Sequence, residues 1–390
     1  MKVNHRIHLC LAKMSPDGME QRYIQEAFNT NWVAPLGPNV DGFEKALEDY
    51  LNENDNEEEN TQTKHVAALS SCTAAIHVAL LLLDVKPGDE VICQSFSFCA
   101  SSNPVVYCGA KPVFVDSDSQ TWNMSPELLE EAIKDRIAKI GKKPKAIIVV
   151  DLYGMPANWE AIEEIAKRYE IPVIEDAANA LGSTYKGKPC GTFGDIAALS
   201  FNGNKMITTS GGGAVICKDL KTKQKAIFLA TQAKEPYLHY EHETIGYNYR
   251  MSNISAGIGR GQMTVLEEHI KHHQHVHELY QELFENVEVQ GNPNSDYDSN
   301  FWLTTVLLGD KLKTENVEQI ELLCKTLGHQ GIEARPLWKP MHLQPVFQNA
   351  PAYVNGVSEK LYKTGICLPS GPWVSDEDVK LIVERLKSER

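Results

Sequence analysis

Ile196-Ala197-Ala198-Leu199-Ser200-Phe201-Asn202-Gly203-Asn204-Lys205 is the segment that decides the fold. The apolar run Ile196 to Leu199 predicts a buried strand that closes at Ser200. A short polar loop then carries Lys205. Thr208-Thr209-Ser210-Gly211-Gly212-Gly213 follows, a run in which side chains almost vanish. A strand end, one amine and three glycines suit a site where an amine on a rigid support bonds a bulky carbonyl compound that approaches the backbone closely.

Working outward, similar apolar runs recur from Val66 to Cys217. They predict strands at 66–69, 90–94, 112–115, 146–150, 172–175, 196–200 and 214–217. Helices are expected between several of them, at 74–83, at 127–137 with Ser125 as N-cap and Pro126 at the first helical position, and at 159–169. Alternating β and α segments with uninterrupted Val/Ile runs predict an α/β fold, with a mostly parallel seven-stranded sheet between helices. In such sheets ligands sit beyond the carboxyl ends of the strands, where Asp151, Asp176 and Ser200 all fall. After Arg250 the pattern changes. Residues 251–282 read as one long helix with Ala256-Gly257-Ile258-Gly259 for close packing, and residues from about 301 read as a smaller α+β domain. The expected division is therefore a large domain at 1–250 and a linking helix with a small domain at 251–390.

Lys205 at a strand end, with Asp176 ending a neighbouring apolar run, suits pyridoxal phosphate. The amine forms a Schiff base, and the carboxylate keeps the pyridine nitrogen protonated. Ser71-Cys72-Thr73-Ala74-Ala75 opens a helix after a strand, which reads either as a plain capped helix or as an anion site for a phosphate, to which Ser200 can add a hydroxyl. Phe98 is a candidate to stack on the ring, although an aromatic after a strand is more often core. The chain has no G-x-G-x-x-G after the first strand of the sheet, which counts against a dinucleotide-binding dehydrogenase.

The 390 residues carry a net charge of −14, with 42% hydrophobic and 23% charged residues. That balance suits a two-domain globular protein and argues against nucleic acid or an anionic membrane as the main partner. Nine cysteines, an odd number without a C-x-x-C, suit buried thiols in a reducing cytoplasm. No signal peptide or membrane span is read, so a cytoplasmic location is expected. The acidic stretch Asn52 to Asn60 reads as a solvated loop. His269, His273 and His277 share a helical face and are read as solvated; no metal site is expected.

Together these segments resemble the DegT-type sugar aminotransferases, fold type I pyridoxal phosphate enzymes, over nearly the whole chain. The resemblance rests on Ser71–Ala75, Gly109–Asp116, Glu175–Ala178, Ser200–Lys205 with the glycines, and Gly246–Ser252. Among them it looks most like C4 aminotransferases of bacillosamine-type pathways, through Asn31–Gly37, His239–His242, Arg335–His342 and Ile366–Gly371. The resemblance implies Lys205 as the Schiff-base Lys, Asp176 as the pyridinium partner, and Thr73, Ala74 and Ser200 as phosphate contacts, with Phe98 stacked on the ring. It implies that Asn248 reaches the phosphate of a neighbouring subunit, hence a homodimer with shared sites. Asn179 stands where relatives carry Gln, His or Glu near the cofactor's phenolic oxygen, and its shorter side chain suggests a longer or water-bridged contact. Trp32, His239, His242, Arg335, Trp338 and His342 are the expected sugar-nucleotide contacts. The implied reaction moves an amino group from L-glutamate to C4 of a UDP-linked 2-acetamido-4-keto-6-deoxy sugar. Alternatives are a C3 or dTDP-linked keto sugar, or a non-catalytic pyridoxal phosphate-binding regulator.

Overall fold

The computed structural model describes residues 5–53, 63–285, 287–309 and 316–388. Most of the acidic stretch, from Asn54 to Asn60, lies outside them. All seven expected strands are present: β1 (His65–Leu69), β2 (Glu90–Gln94), β3 (Lys111–Val115), β4 (Ala146–Val150), β5 (Val173–Asp176), β6 (Ile196–Ser200) and β7 (Gly213–Cys217). They lie in the order β1-β7-β6-β5-β4-β2-β3, and the two-residue strand Ala352–Tyr353 adds an eighth member beside β3. Only β7 runs against the rest.

Alternation along each strand explains why the sheet is covered on both faces. Ile147 and Val149 point into one apolar core, while Ala146 and Ile148 point into the other. Helices Pro126–Ile140 and Trp159–Tyr169 close the first face, and Cys72–Leu82 and Leu220–Ala230 the second. The caps Ser71, Ser125, Asn158 and Asp219 each accept a backbone N–H from the first turn of their helices.

The stretch expected as one long helix is two, Asn253–Met263 and Leu266–Leu283. The first packs its glycines onto the N-terminal helices Met19–Asn29 and Pro38–Asn52. A Cβ at Gly259 would lie 2.7 Å from the Phe43 ring, and one at Gly257 2.8 Å from Asn39. Asn253 also caps Pro38–Asn52, accepting the N–H groups of Asn39 and Val40 at 2.9 and 3.2 Å. A separate core gathers around the antiparallel sheet formed by Glu288–Val289, Thr304–Leu307, Gly365–Leu368 and Arg335–Pro336. The chain crosses between the cores more than once: Ile7 bridges to Ile332, and Ala352–Tyr353 pairs with β3.

Two of the three consecutive glycines are explained by packing. A Cβ at Gly213 would lie 2.3 Å from the Cys72 backbone nitrogen, and one at Gly212 2.1 Å from Thr209 Oγ1. Gly211 has open space around it. Gly213→Ala forces β7 away from the helix that follows β1, so a loss of about 2–3 kcal/mol is expected in denaturant unfolding of the cofactor-free protein. Gly211→Ala, measured the same way, is expected to change stability by less than about 0.5 kcal/mol.

Candidate active site

The carboxyl ends of β1, β2, β4, β5 and β6 open into a cavity of about 350 Å³ that contains Lys205 and Asp176. The loop that carries Lys205 is pinned at both ends. Phe201 is buried against Phe43, its N–H donates to Gly212 O, and its carbonyl accepts Thr209 N–H at 2.9 Å. Lys205 Nζ donates to Asn179 Oδ1 at 2.6 Å and lies 3.9 Å above the Trp302 ring. Burial pulls the amine down from 10.5 to about 8, although Cys72, Asp176 and Cys10 act in the opposite sense.

Asp176 is almost wholly buried, which pushes its carboxyl up. Hydrogen-bond donors counter that push. Ser101 Oγ donates to Oδ2 at 2.6 Å, Ala178 N–H donates to Oδ1 at 3.1 Å, and the Cys72 thiol lies 3.8 Å from Oδ1. At the far wall the helix Cys72–Leu82 presents its N-terminus. Ser71, Thr73 and Ser200 line the cavity there, beside Gly211 and Gly212. Ala74 does not line it; its N–H is already taken by Ser71 Oγ at 3.0 Å. Phe98 is half exposed at the mouth, its ring 5.6 Å from that of Trp338.

The expected outer residues divide into three groups. Trp338 lines this cavity and also a second one of about 590 Å³, on whose wall Arg335 sits, paired with Glu333 at 2.9 Å. Trp32, His239, His242 and Asn248 are exposed and lie away from both cavities. His239 pairs with Glu241, His242 contacts the Gln232 carbonyl, and the segment of Asn248 bridges to Thr231. His342, the last of the expected substrate contacts, lines neither cavity. Its Nδ1 lies 2.6 Å from Ser95 Oγ and its Nε2 3.5 Å from Glu359, with the side chain enclosed.

The reading of His269, His273 and His277 as solvated is wrong: all three are buried. His269 Nδ1 contacts Met206 O at 3.1 Å, and His277 stacks on Phe301 at 3.5 Å. Burial holds His273 and His277 near 3, so both are neutral imidazoles of the core. That face packs against the loop carrying Met206 and against Phe301.

Asp151 sits at the end of β4, as its position implied, but it does not face the cavity. Its Oδ1 accepts Ala157 N–H at 2.8 Å and Trp159 Nε1–H at 3.0 Å. Ligand atoms of Asp151, Glu175 and Cys190 lie within 4.8 Å of one another. Glu175 accepts the N–H groups of Gly191 and Phe193 at 2.5 and 2.7 Å. Burial drives both carboxyls up, and sharing one proton is what makes such a pair tolerable. Sequence reasoning missed Ser101, Cys72 as a neighbour of Asp176, and Trp302. Only Cys72 carried a signal, its place in the helix-opening motif.

A buried carboxylate and a depressed amine facing a helix N-terminus define a site for a phosphorylated carbonyl cofactor. The model of the DegT/DnrJ/EryC1/StrS aminotransferase family matches residues 15–387, and the chain belongs to that family. It is 45% identical over 390 residues to EpsN of Bacillus subtilis, named as a pyridoxal phosphate-dependent aminotransferase (98% of this chain, 96% of that protein). It is 36% identical over 369 residues to the GDP-perosamine synthase of Escherichia coli O157:H7, with 95% of each covered. The crystal structure of a DegT/DnrJ/EryC1/StrS aminotransferase from Brucella abortus superposes with a TM-score of 0.85 at 29% identity, covering 95% of each chain. The protein is thus a pyridoxal phosphate-dependent sugar aminotransferase with the fold type I architecture. The residues present fit the cofactor: Lys205 for its aldehyde carbon, Asp176 for its ring nitrogen, and the helix N-terminus with Thr73 and Ser200 for its phosphate. Among the described residues, no helix is long and apolar enough to cross a membrane.

Two pH experiments test this electrostatic layout. With a pKa of about 8, roughly a quarter of the Lys205 amine is neutral at pH 7.5, against about one part in a thousand for an ordinary Lys. Cofactor uptake by the stripped protein, followed by absorbance, should therefore accelerate as pH rises and level off above about 8. The second concerns Asp151, whose folded-state value of about 6 lies above that of the unfolded chain. Stability is then lost as pH rises from about 4 to about 6. In Asp151→Asn the amide can donate to Glu175 in place of the shared proton. Its stability in urea unfolding should therefore fall less than that of the native chain as pH rises above the ordinary carboxylate range.

Proposed function

We propose that the enzyme transfers the amino group of L-glutamate to C4 of a UDP-linked 2-acetamido-4-keto-6-deoxy sugar, releasing 2-oxoglutarate and a 4-amino sugar. The observation that carries this reading is the second cavity. It shares Phe98, Asn204, Trp302 and Trp338 with the cofactor cavity and places Arg335 and Lys339 on its wall. A sugar held over Lys205 can extend its diphosphate toward Lys339 and toward Arg335, whose Glu333 partner on the same wall the phosphates would displace. The Asn31–Gly37, His239–His242 and Arg335–His342 segments support the C4 and UDP assignment by resemblance.

Pyridoxal phosphate supplies the electron sink and carries nitrogen between the two half-reactions. The protein does the rest. With the cofactor bound, Lys205 Nζ would be the base that takes the proton from the glutamate carbon bearing nitrogen and the acid that returns it on the cofactor side. In the second half-reaction it moves a proton in the reverse sense, onto C4 of the sugar. A depressed amine suits both directions near neutral pH. Asn179 orients the amine, and Trp302 forms the wall beneath it.

We place the enzyme in the cytoplasm, serving surface glycan synthesis as a homodimer. Exposed Val33, Leu36, Tyr107, Leu238 and Ile245 give the chain apolar surface to cover, and Trp32, His239, His242 and Asn248 stand in or beside these segments. A second copy would bring Asn248 to its partner's phosphate site.

A second reading, a GDP-linked 4-keto sugar, is favoured by the 36% identity to a GDP-perosamine synthase. The two separate in one assay. The enzyme is incubated with glutamate and, in turn, UDP-, GDP- and dTDP-linked keto sugars, and products are scored by mass and by the position of nitrogen in NMR. The UDP-linked 4-keto sugar should give the highest kcat/KM, by at least tenfold. A preference for the GDP or dTDP sugar, or amination at C3, contradicts the assignment. Lys205→Ala should lose at least about a thousandfold in turnover on every acceptor.

A further inference from the structure

Asp176 has a task that its surroundings oppose. It must stay ionised beside the ring nitrogen of the cofactor while almost wholly buried. Ser101 ends the short 3-10 turn Cys99–Ser101 that follows β2, and its hydroxyl reaches Asp176 Oδ2 at 2.6 Å. A serine hydroxyl has one proton, and this bond uses it, because an ionised carboxylate can only accept. Ser101 Oγ is therefore free to accept from Ser97 Oγ at 2.8 Å. Ser97 has one competing acceptor, the Phe98 carbonyl, at a longer 3.3 Å. All three side chains are at most 3% exposed. The donor direction thus runs from Ser97 to Ser101 to Asp176, and a chain of this kind strengthens its last bond. Oδ1 is held by Ala178 N–H, with the Cys72 thiol nearby.

We propose that Ser101, backed by Ser97, is a positioning residue of the transamination site: its hydroxyl keeps the Asp176 carboxylate ionised and aimed at the ring nitrogen of the cofactor. Without that donor the carboxylate becomes the more basic partner, and the proton shared with the ring nitrogen moves onto Asp176. The ring then loses its positive charge, and with it part of its capacity to accept electrons. The inference rests on the pyridoxal phosphate site and not on the identity of the sugar.

The test reads the cofactor without any sugar. The holoenzyme is loaded with ¹⁵N-labelled pyridoxal phosphate, and the ring-nitrogen resonance and the cofactor dissociation constant are measured. Ser101→Ala should move the resonance from the pyridinium toward the pyridine position and weaken cofactor binding about 10- to 100-fold, the effect of losing one charge-assisted hydrogen bond. Ser97→Ala should shift the resonance in the same direction by less. Ser101→Thr, which keeps the hydroxyl, should restore both readouts toward native values. A folded Ser101→Ala holoenzyme with native resonance and native affinity overturns the proposal, even if its melting temperature falls, because that pattern belongs to a packing residue. If Ser101→Ala does not fold, Ser97→Ala decides by the same two readouts. Failure of every sugar in the acceptor panel would count against the substrate assignment and leave these readouts untouched.

Discussion

The structure depends on holding an amine and a carboxylate against one cavity whose walls desolvate both. Burial acts on both in the direction of neutrality, lowering Lys205 and raising Asp176. For the amine this is useful, since a neutral nucleophile is what carbonyl chemistry needs. For the carboxylate it is harmful, and the fold supplies Ser101, Ala178 N–H and the Cys72 thiol to oppose it. The same desolvation is therefore left to act on one group and compensated on the other.

The sheet makes that arrangement rigid. β5 and β6 are neighbours, so Asp176 and the loop after Ser200 leave the sheet side by side. β7, the one reversed strand, presses Gly213 against the start of helix Cys72–Leu82 and so fixes the anion site relative to both. Glu44 ties this corner to the N-terminal helices. It accepts Ala68 N–H at 2.8 Å and pairs with Arg250 and with Lys223. Arg250, which belongs to one of the motifs that carry the family resemblance, is thus a strut between β1 and helix Pro38–Asn52. Asp116, from another such motif, caps the start of helix Val357–Thr364 through N–H groups of Gly356 and Ser358. Motif residues here divide between chemistry and architecture.

The strands were legible because parallel strands covered on both faces are continuous apolar runs, and Ile147 to Val150 is such a run. Lys205 and Asp176 were legible because each ends a run where the sheet meets its cleft. The glycine triplet was legible as a close approach, though for Gly213 the approaching group is a helix backbone. What stayed hidden depends on the tertiary path. Trp302 reaches Lys205 across nearly a hundred residues of sequence, and Ser101 looks like any serine in a turn. His273 and His277 misled because a histidine reads as polar, whereas a neutral imidazole packed on Phe301 behaves as a flat aromatic. Asp151 misled in a subtler way, since its strand end is correct and only its side chain turns toward Trp159.

The central claim is that Lys205 is the amine that holds the cofactor. Borohydride reduction of the native holoenzyme, followed by proteolysis and mass spectrometry, tests it most directly. The account predicts one phosphopyridoxyl group per chain, carried by Lys205. A group on any other lysine, or none despite cofactor absorption, would contradict it.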